Sequence, residues 1–199
     1  FDLGKFDNAH RFRLPKKTTF GKFKAQVASE LGVPVDKQRY WLYSPRRNKT
    51  NRPHSILPVA SEHAQVEQIR QKFASKNSST SELKLYLEEI SEDYAEINAE
   101  HDICLHVKFF NPHEARLSYA GHFYAHSDAL LTAYFPQLRA LCGMAADADI
   151  DLFEEISCVR ESAMQVDKFA PEIIERRPLG ETSGATENLQ LNNGDIIIV

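Results

Sequence analysis

The sequence predicts an α+β chain of two small domains in tandem, and three observations carry that prediction. The first is a hairpin signature over residues 103–125, ICLHVKFFNPHEARLSYAGHFYA. Ile103, Leu105, Val107 and Phe109 alternate with Cys104, His106, Lys108 and Phe110. Asn111-Pro112-His113-Glu114 then interrupts, and Leu117, Tyr119, Phe123 and Ala125 resume the alternation. Period-2 patterning on both sides of a proline-containing turn predicts two paired strands with one buried face. The second observation is order: a helical pattern follows the hairpin, then a further apolar stretch, then the terminal Ile196-Ile197-Ile198-Val199. Residues 1–90 repeat that order more raggedly. The third is charge. Residues 1–90 hold 17 Lys/Arg against 9 Asp/Glu, a net of +8, whereas residues 91–199 hold 7 against 19, a net of −12. Two units with opposite fields meet different partners.

Hairpin, helix and further strands is the order of a β-grasp, the ubiquitin fold. The expected architecture is therefore two tandem β-grasp (ubiquitin-like) domains, a basic one over 1–90 and an acidic one over 102–199, joined by a linker at 91–101. A length of 199 residues suits two domains of about 90–100 residues each. The chain begins at Phe1 and ends inside an apolar strand, so it reads as a piece of a longer one. No apolar run approaches the roughly 18 residues of a membrane span, and no signal peptide is visible. Three scattered cysteines, an odd number, suit a reducing compartment, which points to the nucleus or cytoplasm.

In the first domain, Arg11–Lys16 (RFRLPK) puts Phe12 and Leu14 on one face and reads as a strand. Thr18 or Thr19 is the expected cap of a helix whose inner face is Phe20, Phe23, Val27 and Leu31, with Lys22, Lys24, Gln26 and Glu30 outside. Gly32 sits where a helix C-terminal cap belongs, and Pro34 prevents continuation. Residues 39–43 (RYWLY) read as a strand. The polar loop SPRRNKTNRP follows, and its Arg46, Arg47, Lys49 and Arg52 have the chemistry to track phosphates, but a solvated loop on a basic domain is the favoured reading. A short helix over 62–73, a polar spacer at 75–81 and a closing strand through Leu83, Leu85 and Leu87 complete the unit. The opening strand of the grasp has no good candidate in 1–9 (FDLGKFDNA), so the first domain is expected to lack it.

Residues 91–101, with Glu92, Asp93, Glu96 and Glu100, read as a connector. After the hairpin, Ser127 or Asp128 is a possible cap for a helix through Leu130, Leu131, Tyr134, Leu138 and Leu141, stopping near Gly143. Pro136 within that run means that the helix either kinks or begins there. Ile150, Leu152, Phe153 and Ile156 mark a strand studded with acids, 157–189 read mostly as loop with short elements, and Asn193-Gly194 turns the chain into its last strand.

No arrangement of nucleophile and base stands out, and no cofactor or metal motif is visible: there is no glycine-rich phosphate loop and no paired-cysteine site. His122 and His126, four apart on a strand, lie roughly 13 Å from each other, too far to share a metal. Acid crowding in the second domain does stand out. Asp147, Asp149, Asp151, Glu154, Glu155, Glu161 and Asp195 fall on, or at the ends of, elements that neighbour one another in a β-grasp. They form either a solubilising face or a docking patch for Lys/Arg-rich peptides.

Four stretches together resemble the tandem ubiquitin-like region that follows the catalytic domain in HAUSP-type ubiquitin-specific proteases, nearest the plant and green-lineage members. They are FRLPKKTTFGKFKAQVASELGVPVDKQRYWLY with the downstream NRP, SELKLYLEE, LSYAG with LFEEI, and NGDIII. The resemblance implies a parent cysteine deubiquitinase whose catalytic Cys and His lie outside these 199 residues. It also implies that these domains recruit substrates and support the catalytic domain of the same chain. In animal members, acids of the second ubiquitin-like domain bind short lysine-containing motifs, and Glu154, Glu155 and Asp195 match them. With Glu161 from the same crowd, these are the candidate partner-binding residues. The chain departs from the acidic pattern at Gln190, Asn192 and Asn193, which leaves peptide specificity open.

Two other classes compete. One is head-to-tail self-assembly, pairing Asp147, Asp149, Asp151 and Glu154 with Lys108 of the next copy. The other is nucleic-acid binding by the basic first domain, against which the overall net charge of −4 argues.

Overall fold

The computed structural model describes residues 6, 9–45, 51–73, 82–94, 96–160, 163–180 and 189–199, of which 45, 60, 93, 157–160 and 163–164 by backbone alone. The architecture is α+β, with two sheets and few helices, compatible with β-grasp-like domains. Contacts divide the chain into two units. The first comprises Leu3–Ser44 and Pro53–Glu96; the second comprises Ile97–Val199 together with Phe1–Asp2 and Pro45–Arg52.

In the first unit, α1 (Phe20–Leu31) lays Phe20 and Val27 inward, with Phe23 half-buried beside them. Gly32 ends it as expected: at φ 76° it adopts the left-handed conformation and returns its N–H to Ala28 O. Thr19 occupies the N-cap position without a side-chain cap bond. A three-stranded sheet of order β2-β1-β3 faces the helix, formed by β1 (Gln38–Pro45), β2 (Asn51–Ile56) and β3 (Leu85–Glu89). Tyr40 and Leu42 of β1 meet Phe20, Leu57 and Ile69 in the core. The ring of Phe20 stands edge-on to Tyr40 at 5.0 Å. The expected helix over 62–73 is a 3-10 turn at Val59–His63 followed by α2 (Val66–Phe73).

Two expectations for this unit change. Arg11–Lys16 forms no strand: a strand needs a neighbour to take its amides and carbonyls, and among the described residues no strand pairs with it. Phe12 still packs, edge-on to Phe23 at 5.3 Å. Lys24, placed on the outer face of α1, is buried instead, and its ammonium reaches Glu62 at 2.6 Å. The 75–81 spacer lies outside the described residues.

The second unit holds a five-stranded sheet of order β5-β4-β8-β6-β7. The expected hairpin is β4 (Asp102–Asn111) with β5 (Arg116–His126), paired from Asp102↔His126 to Asn111↔Arg116. A bulge after Val107 leaves Ala120 without a register partner, and Gly121 beside it has φ 145°. A Cβ on Gly121 would come within 3.0 Å of Leu141 Cδ2, so this position favours glycine twice over. Strand β8 (Ile196–Ile198) lies parallel to β4 and antiparallel to β6 (Phe153–Arg160), and β6 pairs with β7 (Ala163–Lys168). The last strand thus sits between two hairpins, as a grasp requires.

Helix α3 (Phe135–Leu141) starts one residue before Pro136 rather than kinking there, after a 3-10 turn at Leu131–Tyr134. In the first helical turn, the missing proline N–H costs nothing. Neither Ser127 nor Asp128 caps it. Leu131 and Leu138 are fully buried, with Leu105, Val107, Phe123, Ala125 and Ile197. The stretch after Ser157 is more ordered than expected, containing the rest of β6, then β7 and α4 (Pro171–Ile174). Burial in β4 also differs from the one-sided pattern: every residue from Ile103 to Lys108 is buried, so both faces of this strand are covered.

Candidate protein-interaction surface

Strand geometry decides which acids of the second unit can meet a partner. Phe153 lies opposite Ile198, and Ile198 beside Lys108, so these three side chains share one face of the sheet. Glu155, two residues beyond Phe153, returns to that face. There Lys108 Nζ donates to Glu155 Oε2 at 2.5 Å and Arg52 Nη2 donates to Oε1 at 2.7 Å. Glu155 is 4% exposed, Lys108 6% and Arg52 2%. Three ionised groups out of water hold one another, an arrangement expensive to desolvate and more expensive to break. Among the described residues no acceptor meets Arg52 Nη1.

This arrangement corrects three expectations. Glu155 is not a surface acid for a client. Lys108 is not free for a neighbouring copy to grip, which removes the cation from the head-to-tail reading. Arg52 is not a loop arginine tracking phosphates but the buried second residue of β2; Arg46, Arg47 and Lys49 lie outside the described residues.

Asp195 is likewise interior, at 2% exposure. Its Oδ2 accepts from Asn192 N at 2.6 Å, while its own backbone N–H donates to Asn192 O. Gly194 at φ 84° donates to Cys104 O, and Asn193 Oδ1 accepts from Cys104 N at 2.8 Å. The NNGD turn thus pins the start of β8 against β4. Asn192 and Asn193, read above as departures from an acidic pattern, hold the turn together.

The remaining acids lie at or near the surface and are termed the rim. Glu154 points to the face opposite Glu155 and pairs in register with Asp167 of β7 and Ile197 of β8. Glu154 is half-buried, and Asp167, Asp147, Asp149 and Asp151 are exposed. Asp151 holds Lys168 at 2.7 Å with both side chains more than half exposed. Sequence reasoning missed Asp167, whose signal was the alternation QVDK in a stretch read as loop. Glu161 lies outside the described residues. The four candidates are therefore not one constellation: Glu154 belongs to the rim, Glu155 and Asp195 to the interior.

Cys104 is buried, and burial pushes the half-buried Cys142 thiol up to about 11, the opposite of what a nucleophile needs. His122 neighbours His106 and Tyr124, whereas His126 stacks on His101 at 5.5 Å. No group of three metal-ligating side chains occurs among the described residues, and no helix among them is long and apolar enough to cross a membrane.

A family profile described as the ICP0-binding domain of ubiquitin-specific protease 7 matches residues 38–199. The chain belongs to that family. It is 41% identical over 160 residues, 78% of its length, to ubiquitin C-terminal hydrolase 12 of Arabidopsis thaliana, and 39% identical over 176 residues, 84% of its length, to ubiquitin C-terminal hydrolase 13 of the same plant. Ubiquitin carboxyl-terminal hydrolase 5 of Schizosaccharomyces pombe is 27% identical over 168 residues. The chain spans 14–15% of the length of these relatives. The match covers both sheets, so the HAUSP-type resemblance read from short stretches holds over residues 38–199.

Proposed function

We propose that these 199 residues are a non-catalytic region of a cysteine deubiquitinase, recruiting client proteins through Lys/Arg-rich peptide motifs and supporting the catalytic domain of the same chain. The observation that carries the reading is the family match over 38–199, in a family described by the binding of another protein. Relatives described as ubiquitin hydrolases, of which the chain spans a small part, support a parent of that class. The acidic rim supports the choice of client: a net of −12 over 91–199 steers basic segments toward Asp147, Asp149, Asp151, Glu154 and Asp167.

Single exposed ion pairs are worth roughly 0–1 kcal/mol. Micromolar binding, about −8 kcal/mol, therefore needs several such pairs and backbone contacts besides. The test is titration of a peptide with spaced lysines against the wild-type chain and an Asp147→Asn, Asp149→Asn, Asp151→Asn variant, at low and physiological salt. Weaker binding to the variant, with a shallower salt dependence, is expected. Equal affinity would return the rim to a solubilising role. The isolated chain should not cleave a ubiquitin C-terminal amide; cleavage abolished by replacing any cysteine would overturn the non-catalytic reading.

A further inference from the structure

Among the described residues β7 pairs with β6 alone, and Gln165, Val166, Asp167 and Lys168 are all exposed. The direction of its free backbone groups follows from one bond. Phe169 N donates to Leu152 O at 2.9 Å, so the 152/169 pair is a hydrogen-bonded one. Antiparallel ladders alternate bonded and non-bonded pairs. With Phe153↔Lys168, Glu154↔Asp167 and Glu155↔Val166 in register, Asp167 turns its amide and carbonyl toward β6. Val166 and Lys168 turn theirs outward. An exposed edge with outward donors and acceptors is a template for another strand.

The side chains say which strand fits. Asp167 faces the same side as Glu154, and like charges directly opposite repel. No cation meets Asp167 among the described residues, because Lys168 points to the other face and is held by Asp151. Val166, on that other face, is 41% exposed.

We propose that β7 receives the client peptide as an added sixth strand, one that alternates basic and apolar residues. Its basic side chains flank Asp167, its apolar ones flank Val166, and its backbone bonds to Val166 and Lys168. The proposal rests on the peptide-recruiting reading above and adds the docking mode. Backbone pairing gives affinity that does not depend on the client's exact sequence, while alternate side chains set specificity.

The experiment uses the 199-residue chain and a peptide of alternating lysine and valine. A control peptide has the same composition with lysines and valines in blocks. Val166→Pro removes an outward amide without touching the β6 ladder, a substitution that an edge strand tolerates. Circular dichroism checks that it stays folded. We expect it to weaken the alternating peptide by about tenfold, as loss of one well-made hydrogen bond does. Asp167→Lys is expected to weaken it as much, and the blocked peptide should bind less tightly than the alternating one. In the wild-type protein, hydrogen exchange at the Val166 and Lys168 amides should slow on peptide addition, with Asp167 unchanged. If the peptide binds but those two amides keep their exchange rates and Val166→Pro keeps full affinity, the docking mode is wrong while recruitment stands. If neither peptide binds, both fall.

Discussion

Each unit carries a Glu-Glu pair on a strand, in SELKLYLEE and LFEEI, and each buries one member. In the first, Glu88 goes in at 1% exposure while Glu89 stays out. In the second, Glu155 goes in while Glu154 stays near the surface. Consecutive strand residues point to opposite faces, so a strand buried on one face hides one glutamate of such a pair and leaves the other outside. The register decides which. Glu88 lies opposite Arg39 on β1, and its two oxygens accept from Arg39 Nη1 at 3.0 Å and Trp41 Nε1 at 2.7 Å. Glu155 shares its face with Lys108 and receives Arg52 as well. Among the described residues, Glu88 thus answers Arg39 and a neutral indole, whereas Glu155 answers both Lys108 and Arg52.

That difference sets the largest predicted effect. Glu155→Gln leaves Lys108 and Arg52 buried together without a counter-charge, and should cost about 3–5 kcal/mol. Glu88→Gln keeps an oxygen for Arg39 or Trp41 and should cost less, about 1.5–3 kcal/mol. The two units need separate probes. Trp41, the single tryptophan, reports the first through its fluorescence in urea, and amide exchange along β4 and β6 reports the second. Equal losses at the two sites would show that the number of cations around each carboxylate does not matter.

A smaller effect is expected at Asp195. Asp195→Ala strips the acceptor from Asn192 N and should cost about 1–3 kcal/mol, read as faster exchange at the His106 amide, which donates to Asp195 O. A variant that weakens peptide binding without altering that exchange would instead give Asp195 a direct part in binding and break the division between interior and rim.

The α1 core, the hairpin, the Asn193-Gly194 turn and the final strand were legible because each rests on a local signal: period, cap glycine or turn pair. What stayed hidden depends on two distant segments meeting. Arg52 sits 103 residues from Glu155, and nothing in NRP says that its arginine turns inward. Lys108 gave a partial signal, since ICLHVKFF is nearly continuous in residues that tolerate burial, as suits a strand covered on both sides. The doubled glutamates gave another. Read together, these imply a buried ion pair but not its partners. The β7 edge was missed because Gln165–Lys168 has too few apolar residues to reveal a strand that is exposed on its outer side.

The smallest effect tests the same chemistry at the surface. Glu67 and Arg70, one turn apart on α2, form a bidentate pair, with Arg70 Nε and Nη2 donating at 2.9 and 2.7 Å. The Arg70 hydrogen bonds pull the Glu67 carboxyl down to about 2. A carboxyl whose folded value is depressed stabilises the fold above its unfolded value, about 4.3, and loses that contribution as pH falls toward 2. Wild type and Glu67→Gln should therefore differ in Tm at neutral pH and converge below about pH 2, where both carry an uncharged residue. The neutral-pH gap should be far smaller than for Glu88→Gln, because water screens this pair. NMR titration of the Glu67 side chain gives the check: a midpoint near 2 sustains the pairing, whereas one near 4.5 would mean that the bidentate contact does not persist in solution.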